Sequence, residues 1–394
     1  MIAIPLVLYL IACDKGSNEP EPDPCNPENS PGQVLEAAFF ATFNPSDVQT
    51  YLTLLGAPPG LTPQYSVDAY SVVYMTRDIN ENLIQVSGAL FVPQDIDTLD
   101  LLSVQHGTEF NRSQVGSANP LWALDGMICA MDGFMVFEPD YIGLGVSEQL
   151  HPYLHAKLSA NSVVDGLRAA RIYACQNDIQ LDPGIFLAGY SEGGFVTLAA
   201  HQELEEMHGD EFTIRAVAPM AGPHDLLQTT TRMLKSESYS NPAYIAYIVA
   251  AYNDVYGWNR LTEIFQSPYA EMIPLLLNGT HDGSDVNDSL TQVIDELFNP
   301  VFVQDFLDGS ETDVRAALWE NSPLRWGPLA PVRLYHGTAD STVYFENSRS
   351  AYDSLRFYGG QDVSLVPLTG ANHGSGAFPS YYLALSWFDS LRTI

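Results

Sequence analysis

Six short apolar runs constrain this chain more than any other feature: LLSVQ (101–105), FMVFEP (134–139), IFLAGY (185–190), AVAPMA (216–221), VRLYH (332–336) and VSLVPL (363–368). Unbroken apolar runs of this length suit strands buried on both faces, the condition of a parallel sheet covered by helices. Between them lie stretches of helical period, at 118–131, 156–176, 194–208 and 344–357, the second carrying Leu158, Val163, Val164, Leu167 and Ala170 on that period. Upstream, YSVDAYSVVYMT and LIQVSGALFVP alternate like the arms of a hairpin about the polar turn DINEN. Two further amphipathic segments, around 33–43 and 46–55, read as helices. An antiparallel start followed by strand–helix repeats predicts an α/β fold with a mostly parallel central sheet.

One interval breaks the rhythm. About a hundred residues between Gly222 and the strand at 332 show helical periodicity without a convincing strand, including YSNPAYIAYIVAAYNDVYGW. A connection that long should be an element in its own right. It is read as a helical cap, residues 223–325, inserted between the sixth and seventh core strands and dividing the sheet domain into 33–222 and 326–394.

The chemistry falls at the ends of the strands. Gly189-Tyr190-Ser191-Glu192-Gly193 is G-x-S-x-G, directly after a predicted strand and before a predicted helix. In such an elbow the serine backbone is forced into a strained turn, and small neighbours let strand and helix approach. The hydroxyl is then exposed beside the N–H groups of the helix start, which can stabilise an oxyanion. Asp340, in HGTADSTV, follows the 332–336 strand, and His373, in GANHG, follows the 363–368 strand. Serine alone is a poor nucleophile; His373 would take its proton, and Asp340 would orient the imidazole and stabilise its charged form. Asp225, in GPHDL, is the competing acid. The second oxyanion donor is expected in Gln105-His106-Gly107-Thr108-Glu109, after the third core strand, with the Thr108 N–H pairing with that of Glu192. His106 reads as a loop-shaping hydrogen-bonding residue. The Glu192 carboxylate pairs with a local donor, adds to the stability of the imidazolium, or faces solvent as an ordinary helix residue.

Charge and the N-terminus bound the surroundings. The net charge is -32, with 48 Asp and Glu against 16 Lys and Arg. Such a surface repels phosphate backbones and anionic headgroups, which argues against nucleic-acid and peripheral electrostatic membrane binding. Residues 1–12 are apolar but too short to span a bilayer, and read as a signal peptide. Leu10-Ile11-Ala12-Cys13 resembles a bacterial lipobox, with Cys13 as the lipidated residue, although no Lys or Arg precedes the apolar run. Residues 14–32 lack any aliphatic or aromatic side chain, so 13–32 is expected to tether an exported lipoprotein to the cell envelope. Of the remaining cysteines, Cys25 lies in the tether and a Cys129–Cys175 bridge is one open possibility. No cysteine cluster has metal-ligand spacing. His151 and His155 in HPYLH lack a third ligand and read as a helix entrance.

These motifs, with VSGALFVP, EPDYIGLGVS, the HPYLHA…VVDGLRAAR stretch and APMAGPHDL, resemble the α/β hydrolases, and within them the secretory, lipase-A-like lipases and their bacterial esterase relatives. The resemblance covers roughly 65–394 and implies a carboxylic-ester hydrolase needing no metal or organic cofactor. It also implies that Asp140, Tyr141, Gly143 and Gly145 shape the active-site wall. The expected function is an exported serine esterase or lipase acting on a neutral small-molecule ester of short to medium chain. A serine peptidase or amidase on the same fold, or a non-catalytic binding module, is the alternative. Oligomeric state is not legible.

Overall fold

The computed structural model describes Asp23 and residues 25–392; the signal peptide, Cys13 and most of the tether expected above lie outside the described residues. Among these, nine strands form one sheet in the order β1-β2-β3-β5-β4-β6-β7-β8-β9. The strands are β1 (Val34–Phe43), β2 (Val67–Arg77), β3 (Leu83–Pro93), β4 (Thr98–Gln105), β5 (Phe134–Pro139), β6 (Gln180–Tyr190), β7 (Thr213–Met220), β8 (Val332–Gly337) and β9 (Val363–Leu368). Pairing is antiparallel from β1 through β3 to β5, and parallel from β5 onward. Because β5 lies on one side of β4 and β6 on the other, the chain reverses its direction of travel at β4. A crevice therefore opens beyond the carboxyl ends of β4 and β6.

Helices α1 (Pro45–Leu54), α2 (Leu124–Met131), α3 (Ala156–Gln176) and α4 (Glu192–Met207) precede β7. Eight follow it before β8: α5 (Leu226–Leu234), α6 (Pro242–Val255), α7 (Leu261–Ile264), α8 (Tyr269–Leu276), α9 (Gly283–Asp288), α10 (Ile294–Leu297), α11 (Pro300–Asp308) and α12 (Thr312–Glu320). Between these helices, the strand-like contacts among the described residues are the isolated bridges Ser238–Val293 and Phe265–Phe298. Last come α13 (Glu346–Phe357) and α14 (His373–Asp389). Two apolar cores flank the sheet. One joins α3 and the eight helices through residues such as Phe137, Val163, Leu187 and Tyr252, and the other joins α2 and α14 through Phe134, Phe186 and Phe388. Among the described residues no helix is long and apolar enough to cross a membrane.

Three expectations are corrected. The segment 33–43, read as a helix, is strand β1. It forms an edge with Phe39 and Phe40 outside the core, and bulges between Val34 and Glu36 and between Phe39 and Ala41 break the two-residue alternation that would have marked it. Residues 25–32 of the expected tether lie against the body: Asn26 exchanges side-chain hydrogen bonds with the backbone of Val34, and Gly32 N–H donates to the Met75 carbonyl. Cys175 pairs with Cys25, across 150 residues, and Cys129 is a buried free thiol in α2.

Candidate active site

Ser191 sits at the β6–α4 turn with φ 61° and ψ −123°, a backbone conformation that an L-residue adopts only when its surroundings enforce it. The glycines around it meet that demand. A Cβ on Gly193 would run into the Gln105 carbonyl, and one on Gly189 into the Gly193 carbonyl, so neither position admits a side chain. The strain projects Ser191 Oγ to 2.9 Å from His373 Nε2.

His373 is the first residue of α14, whose Asn372–Ser375 capping box fixes the helix entrance. Its Nδ1 lies 2.6 Å from Asp340 Oδ2. The carbonyl of His373 accepts from the Tyr190 hydroxyl at 2.6 Å, tying the residue before the serine to the histidine backbone. Asp340 Oδ1 accepts from the N–H groups of Thr342 and Val343, both at 2.9 Å. Burial pushes the Asp340 carboxyl up, but hydrogen bonds from His336 and His373 outweigh it and hold the group down at about 2. His336 was not singled out from sequence. Its Nε2 donates to the Val343 carbonyl at 2.8 Å and lies 3.3 Å from Asp340 Oδ2, while Nδ1 meets Ser348 Oγ at 2.7 Å. It braces the loop that carries Asp340.

Asp225 is elsewhere. It caps α5 by accepting from the Gln228 N–H, and its second oxygen accepts from Ser350.

The loop after β4 brings Thr108 beside Ser191 and Glu192 in a small pocket. Neither the Thr108 nor the Glu192 N–H has a hydrogen-bond partner among the described residues. The Thr108 hydroxyl meets Tyr153 Oη at 2.8 Å. His106 shapes this loop through Nδ1, 2.7 Å from the Gly107 carbonyl, and stacks on Tyr141 at 4.3 Å between ring centroids. Tyr141, at φ 71°, donates its hydroxyl to the His106 carbonyl, while the Asp140 carboxylate accepts from Ser87 Oγ and the Ser117 N–H. Both hold the wall from behind. Gly143 and Gly145, at φ 86° and 58°, complete the turn; a Cβ on Gly143 would strike the His151 backbone.

Glu192 has a local donor. Its buried carboxylate lies 2.8 Å from His151 Nε2, and His151 Nδ1 lies 2.7 Å from the Ile142 carbonyl. With a carbonyl accepting from Nδ1–H, a proton has to lie between Nε2 and the carboxylate. HPYLH thus divides its histidines: His155 caps α3, and His151 partners Glu192.

The pocket over Ser191 is roofed by Met233, Tyr239, Tyr244 and Ile248 and is narrow, about 30 Å³ in volume. Behind the roof, Tyr247 stacks on Tyr153 and Phe110 with centroids 4.6 and 4.9 Å apart. The arrangement brings a serine hydroxyl, an imidazole, a buried carboxylate behind it and two unpartnered N–H donors together along one narrow pocket. That combination is suited to acyl transfer.

Residues 126–392 match the family model described as Secretory lipase. No curated protein matches the chain. Among solved structures, a Legionella pneumophila protein superposes with a TM-score of 0.85 at 26% identity, covering 91% of this chain and 98% of that one. The rice cell wall degrading esterase LipA from Xanthomonas oryzae superposes with a TM-score of 0.82 at 26% identity, covering 92% and 100%. Candida antarctica lipase A in its closed state, at 15% identity and a TM-score of 0.68 over 94% and 87%, shares the fold.

Proposed function

The chain belongs to the secretory lipase family and is a carboxylic-ester hydrolase, and from that premise we propose that it works through Ser191, His373 and Asp340 with an acyl-enzyme intermediate. The observation that carries the reading is the unbroken line from Ser191 Oγ through both imidazole nitrogens to Asp340, with contacts of 2.9 and 2.6 Å. As Ser191 Oγ attacks the ester carbonyl, its proton passes to His373 Nε2, and Asp340 stabilises the imidazolium. The oxyanion is received by the N–H groups of Glu192 and Thr108. His373 then protonates the departing alkoxide, the alcohol leaves, and a water activated by the same imidazole releases the acid.

The substrate is a neutral ester with a short to medium acyl chain. An acidic chain of net charge -32 disfavours anionic esters, and the apolar roof of Met233, Tyr239, Tyr244 and Ile248 accepts a hydrocarbon. Each buried methylene adds up to ~0.8 kcal/mol, so a few carbons alter selectivity. The pocket is narrow and lined by residues of α5 and α6, and the helices between β7 and β8 move as a lid that widens it for the ester. The protein is exported and anchored through a lipid on Cys13.

Ser191→Ala tests the mechanism. It should remove hydrolysis of aryl esters while leaving the thermal midpoint within a few degrees of wild type; retained turnover would exclude Ser191 as nucleophile. A panel of aryl esters of graded acyl length, run beside an aminoacyl anilide, tests the substrate class. Faster cleavage of the anilide would favour the peptidase reading instead.

A further inference from the structure

Lysine and arginine are scarce in this chain, 16 in 394 residues, yet four of the twelve residues lining one open cleft are cations: Arg232, Lys235, Arg315 and Arg325. The cleft, of about 680 Å³, lies between α5, the C-terminal end of α11, α12, and the segment leading to β8. It is separate from the pocket at Ser191. Thr229 and Met233 of α5 face that pocket, whereas Leu227, Gln228, Thr231, Arg232 and Lys235 face the cleft, so the helix forms a wall between the two.

Three of the cations are held in place by packing and backbone contacts, and two of them, Arg315 and Arg325, have no carboxylate partner among the described residues. Arg315 donates to the Phe306 carbonyl at 2.8 Å. Arg325 donates to the carbonyls of Ser322 and Trp319 and lies over the Trp319 ring at 3.7 Å. Arg232 lies over the Tyr344 ring at 3.5 Å, and it alone of the four pairs with a carboxylate among the described residues, Glu346 at 3.1 Å. The acid in the cleft wall, Asp225, already accepts from Ser350 and from the backbone of α5. Forked guanidinium groups fixed in this way match the geometry of a carboxylate.

The rest of the lining is apolar. Leu227, Leu307, Leu324 and Trp319 line the cleft, and Trp319 is 52% exposed. Hydrocarbon beside an array of cations fits a molecule with a tail and an anionic head, and the volume falls in the range of small-ligand sites. Ester hydrolysis releases such a molecule. We propose that this cleft is an exosite for an amphiphilic carboxylate, a fatty-acid anion bound away from Ser191. It does not depend on how Ser191 acts.

The test is a titration of the full-length protein with laurate, following tryptophan fluorescence, with Trp319→Phe assigning the signal. A saturable change should appear in wild type and in Ser191→Ala alike, and vanish in Trp319→Phe. Arg315→Gln/Arg325→Gln should weaken laurate binding about tenfold or more, as expected for lost charge-assisted hydrogen bonds. Lys235→Gln, at an exposed position, should weaken it a few-fold, and it guards against misfolding of the double variant. Dodecanol, with the same tail and no charge, should bind at least about tenfold more weakly than laurate. Equal binding of dodecanol and laurate, or unchanged laurate binding in both cation variants, would overturn the proposal. Preference for dodecyl phosphate over laurate would overturn the carboxylate assignment.

Discussion

Removing His151 should destabilise the protein more than removing its partner. The Glu192 and His151 side chains are 0% and 1% exposed, their contact is 2.8 Å, and Glu192 Oε2 is buried with no hydrogen-bond partner among the described residues. Breaking a buried pair by deleting one member leaves an uncompensated charge, at a cost of ~3–5 kcal/mol. His151→Phe retains a ring against Tyr141, now 5.8 Å away between centroids, so little packing is lost and the electrostatic loss dominates. Unfolding entropy of ~2 cal/mol/K per residue makes each kcal/mol worth about 1.3 °C in a folded body of this size, so the midpoint should fall by ~4–6 °C. Glu192→Leu strands only a neutral-capable ring nitrogen, and should cost ~1–3 kcal/mol. Replacing both by apolar residues removes the charge and its counterpart together, which is often neutral. The double variant should therefore cost about 1 kcal/mol or less against a sum of about 4–8 for the two single changes, giving a coupling of about 3–7 kcal/mol in a cycle read by calorimetry. Additivity within ~0.5 kcal/mol would refute the pairing.

Asp340→Asn should lower kcat by roughly 10³–10⁴ without unfolding, by analogy with other Ser-His-Asp sites, while Asp225→Asn should leave it near wild type; the reverse pattern would move the acid to α5. Glu109, beside Thr108, has its carboxyl raised to about 8 by burial and then by the charges of Glu192, Asp125 and Asp282. The folded chain keeps a proton that the unfolded chain, with its ordinary value of 4.5, has lost, so this group's contribution to stability declines between pH 4.5 and 8. Glu109→Gln should flatten the fall in melting temperature across that window and exceed wild type at pH 9; parallel profiles would contradict it. Cys175→Ser should free residues 25–32 for proteolytic trimming while the sheet domain persists, since that segment is joined to the body by few other contacts, and gel mobility after brief protease exposure checks it. Cys13→Ser should release the protein from detergent-extracted membranes or leave it unprocessed; a wild-type mature chain beginning elsewhere would count against the anchor.

Much of the architecture was legible because buried parallel strands announce themselves as unbroken apolar runs. The six runs at 101–368 correspond to β4 through β9, with ends extended by a few residues where polar side chains occupy strand termini, as at Thr98 and Gln180. Strand β1 was not legible because an edge strand is not obliged to alternate. Its VLEAAFFATF run leaves Leu35, Phe39 and Phe40 partly in solvent, and its bulges shift the phase twice. Helix α14 drew no reading, since Pro379 interrupts its run and a buried Ser380 beside an exposed Tyr382 blurs its period. The serine, aspartate and histidine were readable because each follows a strand at its carboxyl end, where the topology makes them converge. The partners that brace them were not. His336 reaches Ser348 and Val343 through the return of a loop, His151 reaches Glu192 across 41 residues, and Cys25 reaches Cys175 across 150. Such pairings depend on tertiary folding, and nothing in local spacing records them.

The most direct measurement of the central claim is intact-protein mass spectrometry after exposure to a fluorophosphonate, followed by peptide mapping of the adduct. The reagent phosphonylates a serine hydroxyl only where a base removes its proton and N–H donors receive the developing charge. The wild-type protein should gain one phosphonyl group, carried by the peptide containing Ser191, slowly or not at all in His373→Ala and never in Ser191→Ala. An adduct on another residue, or an unmodified wild type that still hydrolyses esters, would contradict the account.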